Sequence, residues 1–329
     1  MGTSRARPGM STDQDKPDPA GSPVTFAGQL SRPGGRTTAL LGILMAFAVY
    51  FLLTPWISLA VTAAAHALVA PDVPFADFRI SASRYETPAG LAANGVAIAA
   101  LLVCCWLLMT LFHRAPFGQL SSVEQRLRPG YLVTCLAIAA VVVLGGTLVV
   151  GSLRGEPLQF APQEGWWAFL VVVAIVTPWQ SAAEEYLFRG YLLQAVTGVT
   201  TNPWIGVVAS SLLFASLHGS QNAALLLDRF AFGMLASCLV ILTGGLEAGI
   251  AAHIVNNVGA YSIAALTSSV AQLRATQEVT WADALTNLTI FAVFALAATA
   301  ACRLLQLPRT TNYPLAQPNG PVAATRSPR

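Results

Sequence analysis

Trp166 to Val196 reads WWAFLVVVAIVTPWQSAAEEYLFRGYLLQAV, uncharged from Trp166 through Ala183 and then broken by Glu184-Glu185-Tyr186-Leu187-Phe188-Arg189. An uncharged, mostly apolar run of this length approaches the roughly 20 residues that carry a helix across a bilayer. Two adjacent carboxylates and an arginine at such depth are costly, so they mark a functional-site candidate. On a helix, Glu185 and Arg189 are four residues apart and can pair on one face. Glu184 then points about 100° away and stays available.

The surrounding composition agrees with a lipid setting. Of 329 residues, 55% are hydrophobic and only 10% charged, against roughly a quarter charged in soluble domains. The fold expected is all-α and polytopic, with about eight transmembrane helices. The net charge of +3 is small, and no basic face suited to nucleic acid is present. Arginine supplies nearly all the positive charge, Lys16 being the only lysine, and alanine is abundant. That bias points to a GC-rich bacterial genome. Cys104, Cys105, Cys135, Cys238 and Cys302 lie in apolar stretches without a CxxC pair. They read as buried small side chains rather than a disulfide framework or metal site.

Apolar spans are expected near 38–68, 90–112, 131–151, 166–196, 203–218, 222–243, 246–267 and 283–305. The fifth is short. The fourth is too long for an upright crossing, so either Pro178 kinks it or its last turns leave the lipid core. Residues 1–36 and 306–329 are rich in Pro, Gly, Ser and charge and are expected to be disordered cytoplasmic tails. The first span reads as an uncleaved signal anchor. Residues 37–165 form an N-terminal group of transmembrane helices and 166–305 the transmembrane core that carries the candidate site. The connection 69–89, with balanced charge and prolines, reads as a solvated external loop.

Loop charge sets the orientation. Arg5, Arg7, Lys16, Arg32, Arg36, Arg114, Arg126, Arg128, Arg303, Arg309, Arg326 and Arg329 collect on one side. Arg79, Arg84, Arg154 and Arg274 fall on the other. Positive loops stay inside, so an integral protein of a bacterial cytoplasmic membrane with both termini cytoplasmic is expected.

Of four histidines, His66 and His113 sit at span ends and read as interfacial, whereas His218 and His253 belong to later apolar helices. At 1.5 Å per residue from the cytoplasmic ends, Glu184 and His218 lie about 18 and 22 Å deep. His253 and Asn257 lie about 10 and 16 Å deep by the same count. Four polar side chains on three helices could therefore line one wet cavity.

Glu184-Glu185-x-x-x-Arg189, Phe214-x-x-x-His218 and His253-x-x-x-Asn257 resemble, in order, the three motifs of the CAAX protease and bacteriocin-processing family (CPBP, or Abi). That family includes the type II CAAX prenyl endopeptidases. The resemblance covers roughly 178–265, about a quarter of the chain. It implies intramembrane hydrolysis of a peptide bond in a membrane-associated peptide or protein. It further implies Glu184 and His218 as the water-activating pair and His253 with Asn257 as oxyanion donors, with Glu185 and Arg189 orienting the site. A desolvated carboxylate is the better base near neutral pH, and a neutral imidazole or amide can donate to a developing oxyanion.

Metal use is open at this level. Family members are often labelled metalloproteases, and Glu184, His218 and His253 would make a zinc set with a free position for water. HExxH is absent, however, and the Glu/His scheme needs no ion. Other readings are structural. Glu185–Arg189 could be only a structural ion pair, and Asn257 a helix–helix hydrogen-bonding residue. Asp228 and Arg229 match no motif and read as a local charge pair or cavity lining. Glu247 reads as interfacial, Phe214 as packing, and Gly244-Gly245 as a tight turn. A proton-coupled transporter is one alternative function, weakened because no duplicated half is visible. A catalytically silent bacteriocin-immunity protein is another, weakened because every motif position is occupied.

Overall fold

The structure, a computed structural model, describes residues 23–31 and 35–311. A short strand β1 (Val24–Thr25) is followed by helices α1 (Arg36–Val69), α2 (Phe75–Ser83), α3 (Pro88–Phe112), α4 (Pro129–Leu153) and α5 (Trp166–Thr200). The chain continues through α6 (Pro203–Ser216), α7 (Ala223–Thr243), α8 (Glu247–Thr267), α9 (Val270–Ala275) and α10 (Trp281–Leu304), then strand β2 (Thr310–Thr311). All the helices except α2, α6 and α9 are long and apolar enough to cross a membrane, and α6 is a shorter apolar helix. The all-α polytopic fold is therefore what the apolar runs imply, and each expected span lies within four residues of an observed helix.

Local chemistry starts and stops these helices. Pro88, Pro129 and Pro203 occupy first-turn positions, where a missing N–H costs nothing. The Asn202 and Asn222 side chains accept from Trp204 N and Leu225 N, and Thr280 with Asp283 forms a capping box. Gly244 ends α7 at φ +74°, a left-handed conformation suited to glycine.

Helix α5 lies at the centre, packed along α8 and α3, while its last turns meet α6 and the first part of α1. It runs unbroken across Pro178 and widens into a π-type turn at Tyr186–Leu192, directly after the two glutamates. At 1.5 Å per residue its 35 residues extend about 52 Å, well beyond a hydrocarbon core of roughly 30 Å. The excess comes from burial of its later half in protein, where every residue from Ala183 to Ala195 is buried.

Several expectations change here. The outer parts of the tails expected to be disordered, residues 1–22 and 312–329, lie outside the described residues, as do residues 32–34. The inner ends are ordered: Val24 pairs with Thr311 and Thr25 with Thr310, antiparallel. Phe26, Ala27 and Leu30 are buried. A local apolar patch inside a polar tail finds the exposed ends of α5 and α7, which composition averaged over the tail conceals.

The 69–89 connection contains α2, held by the buried Phe78 and Ala82, so it is more than a solvated loop. His113 is buried rather than interfacial. Its Nε2 lies 3.0 Å from the Tyr191 hydroxyl, which occupies the space a Cβ on Gly42 would fill.

Glu247 is likewise fully buried, not interfacial. Arg128 donates through its backbone N–H and Nε to Glu247 Oε1 (both 2.8 Å) and through a terminal nitrogen to Oε2 (2.7 Å). The same guanidinium donates to the carbonyls of Thr243 and Pro308. It thus joins the starts of α4 and α8 to the chain leading into β2. Only glycine fits at 245, where a Cβ would lie 2.3 Å from Glu247 Oε2. Glu247→Gln keeps the shape but weakens charge-assisted bonds, each worth about 1.5–3 kcal/mol. A melt in detergent is expected to fall by several degrees.

Candidate active site

The wide turn of α5 leaves Glu185 and Arg189 on one face, where an Arg189 terminal nitrogen donates to Glu185 Oε1 at 2.9 Å. Both side chains are completely buried. Arg189 Nε and its second terminal nitrogen have no hydrogen-bond acceptor. Instead the guanidinium stacks over Phe214, 4.3 Å from the ring centre, with Phe232 5.6 Å away. The aromatic faces supply the electrostatic contact that water would otherwise give. Phe214 therefore supports the site's charge as well as packing beside His218, at 4.6 Å between ring centres.

His253, on the second turn of α8, stands between the two glutamates. Its Nδ1 is 2.8 Å from Glu185 Oε1 and its Nε2 is 3.2 Å from Glu184 Oε2. The second contact is a charge contact, since Glu184 Oε2 lacks a well-aligned hydrogen bond. An imidazole protonated on both nitrogens can donate to both carboxylates, and two carboxylates, a guanidinium and an imidazolium then sum to zero charge. Glu184 is further held through Oε1, which accepts from Gln180 Nε2 at 3.1 Å.

Glycine makes this approach of α5 and α8 possible. A Cβ on Gly249 would lie 2.9 Å from Glu185 Oε2. Gly249→Ala is expected to push that carboxylate off His253 and Arg189 and to reduce turnover by about tenfold, roughly 1.4 kcal/mol of barrier. Initial rates of the variant against the parent protein check this.

His218 lies just past α6. Its Nδ1 is 2.7 Å from the Phe214 carbonyl, so the proton belongs on Nδ1 and a neutral ring presents Nε2 as an acceptor. Asn257 Nδ2 donates to Ser181 Oγ at 3.3 Å, and Asn256 donates to Asn257 Oδ1 at 3.1 Å.

Glu184, His218, His253 and Asn257 all line one cavity of about 390 Å³. Glu185 and Arg189 stand behind them. Sequence reasoning passed over Gln180, Ser181 and Phe232. Gln180 was accessible from its i, i+4 spacing to Glu184, whereas Ser181 and Phe232 enter through helix packing. Asp228 and Arg229 line the same cavity but go to different partners, Asn287 Nδ2 (3.3 Å) and Gln221 Oε1 (2.8 Å) respectively. They are cavity lining more than a charge pair.

The zinc set considered from sequence does not fit this arrangement. Among the described residues no three His, Cys, Asp or Glu groups are disposed to hold a metal. Both His253 nitrogens face carboxylates, which leaves neither as a free ligand. The same geometry differs from the oxyanion-donor role that the motif resemblance implies for His253.

Residues 163–259 match the sequence profile of the family described as type II CAAX prenyl endopeptidase Rce1-like. The match takes in all three motifs, from Glu184 to Asn257, consistent with the CPBP resemblance. An uncharacterized protein of Bacillus subtilis (strain 168), YyaK, is 27% identical over 164 residues, covering 46% of this chain and 54% of that protein. The chain thus matches about half the length of this curated relative.

Proposed function

We propose that this chain, whose residues 163–259 match the type II CAAX prenyl endopeptidase Rce1-like family, hydrolyses a peptide bond of a membrane-associated polypeptide with water activated by Glu184 and His218. The observation that carries this reading is a carboxylate and an acceptor imidazole nitrogen facing one cavity inside a bundle of apolar helices. A water between them gives one proton to Glu184 while its other O–H, kept on the oxygen, donates a hydrogen bond to His218 Nε2. Its oxygen attacks the scissile carbonyl carbon. The proton on Glu184 then passes to the leaving nitrogen as the C–N bond breaks, so both products leave neutral in balance.

Asn257 exchanges its weak contact with Ser181 for the oxyanion, a bond that strengthens only as charge develops. His253 orients Glu184 from its place between the two glutamates. Arg189 and Glu185 hold His253 in turn. Each of these steps uses groups supplied by the chain itself.

Purified protein in detergent, given membrane-associated peptides in H₂¹⁸O, tests the reading. Mass spectrometry should find one ¹⁸O in the new carboxyl terminus of the upstream product. An acyl-enzyme trapped in single-turnover mixtures would replace direct hydrolysis with a covalent route. Solute flux into liposomes without cleavage would favour a carrier.

A further inference from the structure

The two ends of the bundle are chemically different, and the lining of the cavity that holds Glu184 extends to one of them. At the first end lie the β1–β2 pair, the Arg128–Glu247 cluster, and the contact of Val123 N with Gly244 O. At the second end the connections are joined to one another. Ala161 and Gln163 donate to the carbonyls of Leu266 and Ala265, and Asn222 donates to Gln277 O.

The cavity holding Glu184 and His218 reaches Tyr85, Arg274, Thr276 and Val279, all at this second end. A neighbouring groove of about 540 Å³ shares Tyr85, Asn94 and Arg274 with it. That groove extends to Trp56, which is 70% exposed on the outer surface of α1. A path therefore runs from the lipid-facing side of the bundle, through the second end, to the catalytic carboxylate.

Charge identifies the second end. Arg36, Arg114, Arg126, Arg128, Arg303 and Arg309 gather at the first. The sequence before residue 35 and after residue 311 joins the bundle there and carries further basic residues, Arg5, Arg7, Lys16, Arg32, Arg326 and Arg329. The second end has only Arg79, Arg84, Arg154 and Arg274. Arg189 and Arg229 lie within the bundle and do not bear on insertion. Basic segments near helix ends are retained on the cytoplasmic side.

We infer that the catalytic cavity opens to the extracytoplasmic face of the membrane, and that its substrate is a membrane-tethered polypeptide segment exposed on that face. The chemistry of cleavage rests on the proposed hydrolase reading, whereas the direction of the opening does not. A segment emerging from lipid on the outer side can enter along the groove beside Trp56 and pass Arg274 to reach the site.

Cysteine labelling of the full chain in intact cells tests the direction without any knowledge of the substrate. Thr276→Cys places a thiol in the cavity mouth and Pro116→Cys places one at the opposite end, both at exposed positions. The parent protein, whose native cysteines are buried or half-buried, gives the background. A membrane-impermeant maleimide should label Thr276→Cys in intact cells and Pro116→Cys only after permeabilisation. The reverse pattern, or labelling of both in intact cells, overturns the inference while leaving the hydrolase reading intact. Externally labelled Thr276→Cys, once purified, should also lose most of its peptide cleavage, with labelled Pro116→Cys unchanged. Full turnover by the labelled mouth variant would show that substrate enters elsewhere and would overturn the proposed route.

Discussion

Glu184→Gln should remove peptide cleavage while leaving the protein folded. The substitution preserves side-chain volume, and the new amide oxygen can still accept from Gln180 Nε2, now 3.1 Å from Glu184 Oε1. What disappears is the basic oxygen that takes a proton from water, together with the charge facing His253 Nε2 at 3.2 Å. Loss of a positioned general base lowers rates by about 10²–10⁴-fold. The decline should appear in single-turnover cleavage as well as in kcat, because the base acts in the chemical step and not in product release. An unchanged melting profile would separate this from unfolding. Turnover at the parent rate would remove Glu184 from the mechanism and leave His218 without its proposed partner.

Arg189→Met should be the most damaging change to stability. The guanidinium is fully buried, bonded to Glu185 Oε1 and stacked on Phe214. Removing it strands a carboxylate that has no water to turn to. Breaking one half of a buried ion pair costs about 3–5 kcal/mol. His253 Nδ1, 2.8 Å from the same oxygen, offsets part of that, which favours the lower end of the range. The double variant Arg189→Met with Glu185→Gln should recover stability relative to Arg189→Met alone, since the stranded charge goes too. Midpoints of unfolding in detergent, compared as a double-mutant cycle, measure the coupling. No coupling would mean that the contact contributes packing only. Activity should stay low in the double variant even where stability returns, because His253 Nδ1 then faces a neutral amide oxygen in place of a carboxylate.

How far the chain's letters carry the site varies with distance along it. The Glu185–Arg189 pair and the opposite facing of Glu184 follow from helical spacing alone, and both survive the π-type widening of the turn. Gln180, one turn earlier on the Glu184 face, could have been added by the same spacing. His218 was accessible as a polar residue closing an apolar helix, but the orientation of its ring was not. That depends on the Phe214 carbonyl at the frayed end of α6. His253 shows the limit most clearly. Its position on α8 is periodic, yet its partners on α5 depend on Gly249 letting two helices approach until Glu185 Oε2 fills the space of a missing side chain. The buried Arg128–Glu247 cluster was misread for a related reason: of two residues 119 apart, Glu247 looked interfacial and Arg128 a loop charge when each was taken singly.

Sequence alone determined that this is a lipid-embedded helical protein, because runs of uncharged residues have one economical way to satisfy their backbone groups away from water. It also singled out Glu184, Glu185, Arg189, His218 and His253 as ionisable groups in the apolar spans, though not the burial of Arg128, Glu247 and His113. Only the tertiary structure decided what those groups do to each other. Helix periodicity sets the direction in which a side chain leaves its own axis, whereas the contact of one imidazole with two carboxylates needs the spacing and rotation between axes. Those are set by the glycines and aromatic rings that happen to meet there, residues whose importance is invisible until the helices are side by side.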